Sequence, residues 1–394
     1  MNAVMQTYGR IPIAFERGEG VYLISTEGKR YLDGAGGIAV VSMGHSHPKL
    51  VAALTEQAKR LWHVSNLYEI PEQSGYAEKL AAASFADAMF FCNSGAEAME
   101  GAIKIARKFH AVNDAPERYR AVTLEGSFHG RTLATLAAAN NPKHLEGFGP
   151  PADGFDIVPP NNFNELRAAI GPQTAAIVVE PLQGEAGIRP LDNDYMQALR
   201  ATADEFGILL VLDEVQTGFG RTGKLFAHEW DGITPDIVAC AKGIAGGFPC
   251  GAVLTTERVA AAMSPGTHGS TFGGNPLAMA AANAVLDILL EDGFLADVER
   301  TGKLLGEGLV SMAERYPEII EDVRGSGLMV GMVISEPHTN VSLGDRAREH
   351  GLLTVVAGEN VLRLLPPLII REPEVELILA ALDSACADLQ SSGQ

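Results

Sequence analysis

A lysine held between a short apolar run and a cluster of glycines is the most reactive prospect in this chain. In Ala239-Cys240-Ala241-Lys242-Gly243, Lys242 follows a strand-like segment and is hemmed in by Gly243, Gly246 and Gly247. Burial disfavours an ammonium ion, so a lysine here is costly unless it is neutral or covalently engaged. A lysine that forms a Schiff base with a carbonyl needs that condition.

Three other apolar runs end in groups that could serve such a lysine. Ile208 to Leu212 closes abruptly on Asp213 and Glu214, followed by Val215 and Gln216. A lone aspartate at that point is equally a cap or a metal ligand. Phe90-Phe91-Cys92-Asn93-Ser94-Gly95-Ala96-Glu97 runs through a small-residue turn into a helix, whose first N–H groups would attract an anion. A plain N-cap would read the same way. Glu125-Gly126-Ser127-Phe128-His129-Gly130-Arg131 places an aromatic, an imidazole and a guanidinium in one turn, although Phe128 alone reads as core and His129 alone as a surface histidine. Ligands of open α/β sheets gather beyond the carboxyl ends of strands, where all four segments would meet. A phosphate cradle, a carboxylate, an aromatic face and a lysine are the set required by a pyridine-ring aldehyde cofactor.

Two other patterns fail on context. Gly218 to Lys224 matches G-x-G-x-x-G and nearly matches a Walker A loop, but Leu225 stands where the magnesium-binding hydroxyl is needed and no helix opens behind the glycines. His45 and His47 lack further ligands at suitable spacing, so no metal site is expected.

The elements that must position these residues follow an α/β pattern. Strands are predicted over Ala88–Cys92, Ala121–Leu124, Ala176–Val179, Ile208–Leu212, Asp236–Cys240 and Gly251–Leu254. Amphipathic helices lie between them, as in 96–110, where Ala98, Ala102, Ile105, Ala106 and Phe109 recur at helical spacing. The pattern implies a large domain with a mostly parallel sheet over residues 46–292. Residues 293–394 read as a smaller α+β domain: two long helical stretches around a β-rich patch, 327–334, followed by a second patch, 360–365. Residues 1–45 contain GEGVYLISTEGKRYLD, a hairpin pattern expected to pack with the small domain.

With 394 residues, 46% of them hydrophobic, the chain can bury a sizeable core. A formal net charge of -19 opposes nucleic acid and anionic lipid as partners, so an anionic ligand must find local positive groups. The four cysteines are widely spaced and read as reduced, buried thiols. The N-terminus lacks a signal-peptide pattern and no run of about 18 uncharged apolar residues occurs, so a cytoplasmic protein is expected.

From TYGRIPIAFERGEGVYLISTEGKRYLD and GHSHP, through NSGAEA, SFHGRT, VEPLQGEAG, LDEVQTGFGRTG, AKGIAGGFPCGA, GSTFGGNPLA and RGSGLMVG, to LRLLPPL, the chain resembles the class III (subgroup II) aminotransferases. Within them it is most similar to the branch acting on acetylornithine. The resemblance implies a fold type I, pyridoxal 5'-phosphate-dependent transferase, a homodimer or higher assembly with shared active sites. It implies that Lys242 carries the cofactor and moves the reacting proton, and that Asp213 pairs with the pyridine nitrogen. Gln216 lies near the ring hydroxyl in this reading and Phe128 stacks on the ring, with Glu214 and Val215 also among the cofactor-binding residues. The resemblance further implies that Ser94, Gly95 and Ala96 hold the phosphate and that Thr271 reaches it from the other subunit.

For substrates, the resemblance assigns Arg131 and Ser270 to the carboxylate end of an N-acetylated donor, and Arg363 to the α-carboxylate of glutamate or 2-oxoglutarate. The resemblance also implies that Glu185 masks Arg363 while a terminal amine reacts. Ornithine-specific members carry a tyrosine where this chain has Ile38, which favours an N-acylated donor. The implied reaction moves the terminal amino group of N2-acetyl-L-ornithine to 2-oxoglutarate, as in arginine biosynthesis. Succinylornithine, succinyldiaminopimelate, ornithine and 4-aminobutyrate are the rival donors. Glutamate 1-semialdehyde mutases share the scaffold without needing an Arg363–Glu185 switch. A pyridoxal-phosphate-binding regulator would need a basic DNA-binding segment ahead of the domain.

Overall fold

The computed structural model describes residues 3–392. Its centre is a seven-stranded sheet with strands in the spatial order Ala88–Cys92, Gly251–Thr255, Ile237–Cys240, Leu209–Asp213, Thr174–Val179, Arg120–Leu124 and Phe155–Val158. Gly251–Thr255 runs antiparallel to both neighbours, and the other pairings are parallel. The central strands are buried at every position, as a sheet covered on both faces requires. Along Leu209–Asp213, Leu209 and Val211 join the core that holds Ala98, Ala102, Ile105, Ala106 and Phe109, whereas Leu210 and Leu212 join the core on the other side. The period-two alternation of a strand assigns each residue to its face.

All six predicted strands form, with ends displaced by up to two residues. The edge strand Phe155–Val158 was not anticipated; only its two ends are buried, and an aspartate interrupts its apolar pattern. The N-terminal pattern forms two successive hairpins, Phe15–Glu19, Tyr22–Ser25 and Arg30–Asp33, instead of one. Arg30–Asp33 then pairs in parallel with Leu352–Leu353 from the far end of the chain. The two long helices expected after residue 292 are Phe294–Arg315 and Glu372–Ser392. Between them stand a shorter helix, Asn340–Glu349, and a four-stranded sheet whose outer strand, Ile320–Ser326, is too polar to read as a strand.

Three segments meet under the carboxyl edge of the large sheet. Ser42 Oγ donates to the Gly243 carbonyl (3.1 Å), next to Lys242, and the Ser42 carbonyl accepts from Leu368 N (2.7 Å). The Gly34 carbonyl accepts from Leu365 N (2.7 Å). Arg221, fully buried, donates through Nη1 to the carbonyls of Leu328 (3.0 Å) and Pro366 (2.6 Å). Burial pulls its guanidinium down to about 9, against the attraction of Asp33. The near-match to a phosphate loop around Gly218–Lys224 is therefore a structural splice, with Leu328 N donating back to the Arg221 carbonyl (3.0 Å). Arg221→Met leaves two buried carbonyls unpaired and is expected to cost about 1–3 kcal/mol in urea unfolding. An unchanged denaturation midpoint would refute that role.

Candidate active site

The strand ends and their loops enclose a cavity of about 440 Å³ lined by Ser94, Phe128, Asp213, Gln216 and Lys242, among others. Gly95, Ala96, Arg131 and Val215 also face it. Thus nine of the expected site residues come together from four separate segments.

On one side lies the start of helix Gly95–Val112. Ser94 caps it, its Oγ accepting from Glu97 N at 3.2 Å, and Ala98 N bonds the Ser94 carbonyl. The N–H groups of Gly95 and Ala96 precede the first helical acceptor, so their positive ends are left for an anion. Gly95 is needed for closeness: a Cβ there would come within 2.7 Å of the Val215 side chain.

Asp213 ends its strand buried. Its Oδ2 accepts from His129 Nδ1 (2.8 Å) and its Oδ1 from Val215 N (3.1 Å). A carboxylate only accepts, so the proton lies on Nδ1. Burial pulls the His129 pKa down, but the bond and charge of Asp213 outweigh it and raise it. Glu180, directly after strand Thr174–Val179, is a further buried carboxyl lining the cavity. Burial first, then repulsion from Asp213, pushes it up to about 7.

Lys242 sits in the left-handed region at φ 44°, a strained position for a side-chain-bearing residue. Desolvation is the main force lowering its amine to about 8, with Arg363 acting the same way and Glu185 and Asp213 opposing. Arg131 lies over the Phe128 ring, 5.5 Å from its centroid.

Arg363 arrives from strand Val361–Leu364 of the smaller sheet and is 1% exposed. Its Nη1 donates to Glu185 Oε1 (2.7 Å) and Gln216 Oε1 (3.0 Å). Burial raises the Glu185 pKa, yet the charge and hydrogen bond of Arg363 hold it below the ordinary value.

Some expected residues lie elsewhere. The Glu214 carboxylate turns away from the cavity and accepts from Ala227 N, His228 N, His228 Nδ1 and Thr217 Oγ1. It follows Asp213 directly, and its buried carboxylate is spent on this turn. Thr271 is exposed, and Ser270 Oγ accepts from Asn93 Nδ2 (3.2 Å) and Gly273 N (3.0 Å); neither residue lines the cavity. Ile38 is exposed, in a left-handed backbone. Sequence reasoning missed Glu180, although it follows its strand as Asp213 does, and it undervalued His129.

The residues present fit a phosphorylated pyridine aldehyde. Two helix-start N–H groups await an anion, and Asp213 keeps unused acceptor capacity. His129 Nε2 is buried without a partner. Among the described residues, no cluster of three metal-ligating side chains occurs.

The aminotransferase class-III family matches residues 3–386. An acetylornithine aminotransferase of Mesorhizobium japonicum is 57% identical over 374 residues, covering 95% of this chain and 93% of that relative. The crystal structure of N-acetylornithine aminotransferase from Stenotrophomonas maltophilia is 38% identical, with a TM-score of 0.85 and 98% of both chains covered. The ornithine aminotransferase of Toxoplasma gondii is 30% identical with a TM-score of 0.95, covering 99% of this chain and 93% of that one. This chain belongs to the class III aminotransferases, which are pyridoxal-phosphate-dependent enzymes. The two solved relatives carry different donors in their names, so the shared fold does not choose the substrate.

The neutral amine is the nucleophile toward an aldehyde. The rate at which apoprotein takes up pyridoxal phosphate is therefore expected to climb with pH and reach half its maximum near pH 8, where Lys242 loses its proton. Stopped-flow absorbance measures this, and borohydride fixation with peptide mapping locates the lysine. A rate still climbing past pH 10, or attachment elsewhere, would contradict the geometry.

Proposed function

We propose that this chain transfers the terminal amino group of N2-acetyl-L-ornithine to 2-oxoglutarate, giving N-acetyl-L-glutamate 5-semialdehyde and L-glutamate. The observation that carries the reading is the pairing of buried Arg363 with half-buried Glu185 at 2.7 Å. Two substrates must use one cavity in turn, one with a carboxylate beside the reacting amine and one without. A guanidinium that can exchange Glu185 for a substrate carboxylate serves both. The likeness to named acetylornithine enzymes supports the donor, as does the apolar Ile38.

Bound pyridoxal phosphate would act as an electron sink for the substrate carbon that gives up a proton. Lys242 Nζ takes that proton and returns it. Asp213, steadied by His129, favours a proton on the ring nitrogen placed against it. Phe128 and Val215 hold the ring plane, Gln216 meets the ring hydroxyl, and Ser94, Gly95 and Ala96 receive the phosphate. Arg131 and Ser270 take the carboxylate end of the acetylated donor.

We place Thr271 across a homodimer interface, on the phosphate site of the partner subunit. Supporting this, Phe272 is 59% exposed beside it, and Trp62, Leu67 and Tyr68 form further exposed apolar surface near Asn66, which donates to the Ser270 and Gly273 carbonyls. Residues 1–45 and 293–394 are assigned to a small domain, and 46–292 to the cofactor domain. No helix among the described residues is long and apolar enough to cross a membrane. The proposal is a cytoplasmic enzyme with no nucleic-acid or membrane partner.

Initial rates with acetylornithine, succinylornithine, ornithine and 4-aminobutyrate test the donor. Acetylornithine should give the highest kcat/KM, and free ornithine equalling it would overturn the assignment. Glu185→Gln should speed the glutamate half-reaction relative to that of acetylornithine by about ten- to a hundredfold, the scale of one charge-assisted bond. Arg363→Ala should weaken glutamate and 2-oxoglutarate while sparing the acetylated donor. Equal effects of both substitutions on both half-reactions in single-turnover spectra would make the pair merely structural.

A further inference from the structure

Glu180 is a carboxyl that the reaction outlined above leaves without a task. It lines the cavity, it is 6% exposed, and its two oxygens reach two different loops. Oε1 accepts from Phe128 N at 2.8 Å, and Oε2 accepts from Gly184 N at 3.2 Å. One N–H belongs to the aromatic wall of the cavity, and the other belongs to the residue preceding Glu185.

The Gly184 end is tightly constrained. A Cβ at 184 would lie 2.7 Å from Gln216 Oε1, so the backbone here passes directly against that amide. Gln216 Oε1 in turn accepts from Arg363 Nη1, which also donates to Glu185 Oε1. Contacts therefore close on themselves: Glu180 to Gly184, Gly184 along the chain to Glu185, Glu185 to Arg363, Arg363 to Gln216, and Gln216 back against Gly184. The outer side of the loop is held where Gly358 N donates to the Glu185 carbonyl (2.8 Å).

A second buried carboxyl near Asp213 is electrostatically expensive, and a neutral group of the same shape would be cheaper for folding alone. What an ionised carboxylate does that an amide does not is accept at both oxygens. Both are used here, on backbone donors that flank the cofactor wall and the switch.

We propose that Glu180 is a positioning residue that fixes the loop carrying Glu185 relative to the Phe128 wall, and so sets how readily Arg363 passes from Glu185 to a substrate carboxylate. This rests on the Arg363–Glu185 switch proposed above. Glu180→Gln keeps one acceptor for Phe128 N, the shorter contact, and turns an NH2 donor toward Gly184 N. The Gly184 tie is lost and the Phe128 tie is kept.

The experiment compares wild type, Glu180→Gln, Glu185→Gln and the double variant as holoenzymes. Single-turnover rates with glutamate and with acetylornithine are measured, together with thermal midpoints and the affinity of each apoprotein for pyridoxal phosphate from fluorescence titration. Glu180→Gln is expected to change the glutamate-to-acetylornithine rate ratio by about tenfold, and by less than about twofold when Glu185 is already Gln. Its thermal midpoint should hold or rise as repulsion with Asp213 is relieved, and cofactor affinity should change by less than about threefold. A ratio unchanged by Glu180→Gln, or changed equally in both backgrounds, would overturn the proposal. A wild type inert toward acetylornithine would refute the donor assignment alone. The coupling between positions 180 and 185 is then read from the glutamate rates.

Discussion

A guanidinium taken out of water has to be answered by acceptors of fixed geometry, and Arg363 imposes that demand at the centre of this molecule. Its strand belongs to the smaller sheet, but its acceptors lie outside that sheet: Glu185 in the turn of the short hairpin Leu182–Gln183/Arg189–Pro190, and Gln216 just beyond the large-sheet strand Leu209–Asp213. The pairing therefore holds only while the two sheets keep their relation. Arg221 splices the chain at Leu328 and Pro366, and Ser42 ties the Lys242 loop to Leu368, three residues beyond the strand's exit at Leu365. Much of the N-terminal segment serves this registration, down to the parallel pairing of Arg30–Asp33 with Leu352–Leu353.

The same demand organises the charge of the cavity. The chain carries a net charge of -19 overall, which would repel the dicarboxylates and phosphate that an aminotransferase handles. Positive character is supplied on the cavity wall by Arg131, Lys242 and the open N–H groups of a helix start, and by Arg363 bonded to the lining residue Gln216. The carboxyls answering it differ in how they are held. Glu185, half-buried, is held below its ordinary pKa chiefly by the charge and hydrogen bond of Arg363, with Lys242 and Gln216 adding to it. Asp213 is fixed by His129 and a backbone N–H, so it does not yield. The two carboxylates are thus distinguished by what holds them.

The central strands were legible in the sequence because a sheet covered on both faces needs continuous apolar runs, and the groups at their ends were legible because such sheets bind beyond their carboxyl edges. What escaped was polar. Ile320–Ser326 pairs as a strand although only Ile320 among its residues is buried, because Met329–Ile334 supplies the core beside it. Glu214 was grouped with Asp213 from adjacency, but its buried carboxylate caps the Ala227–Glu229 turn. His129 read as surface in isolation because its burial depends on Asp213, 84 positions away. Residue type and spacing reveal groups that act through their own strand, and they hide groups whose role is set by a distant partner.

Lys242 shows why the cavity must be built from buried parts. Its backbone lies at φ 44°, and its amine is kept from full charge by desolvation even though Glu185, Asp213 and Glu180 all pull the other way. Opening the cavity to water would rehydrate the ammonium and let those three carboxyls dominate, returning the lysine toward its ordinary basicity. The walls made by Phe128 and Val215 therefore have an electrostatic consequence for Lys242. By excluding water they let a lysine remain a nucleophile among acids.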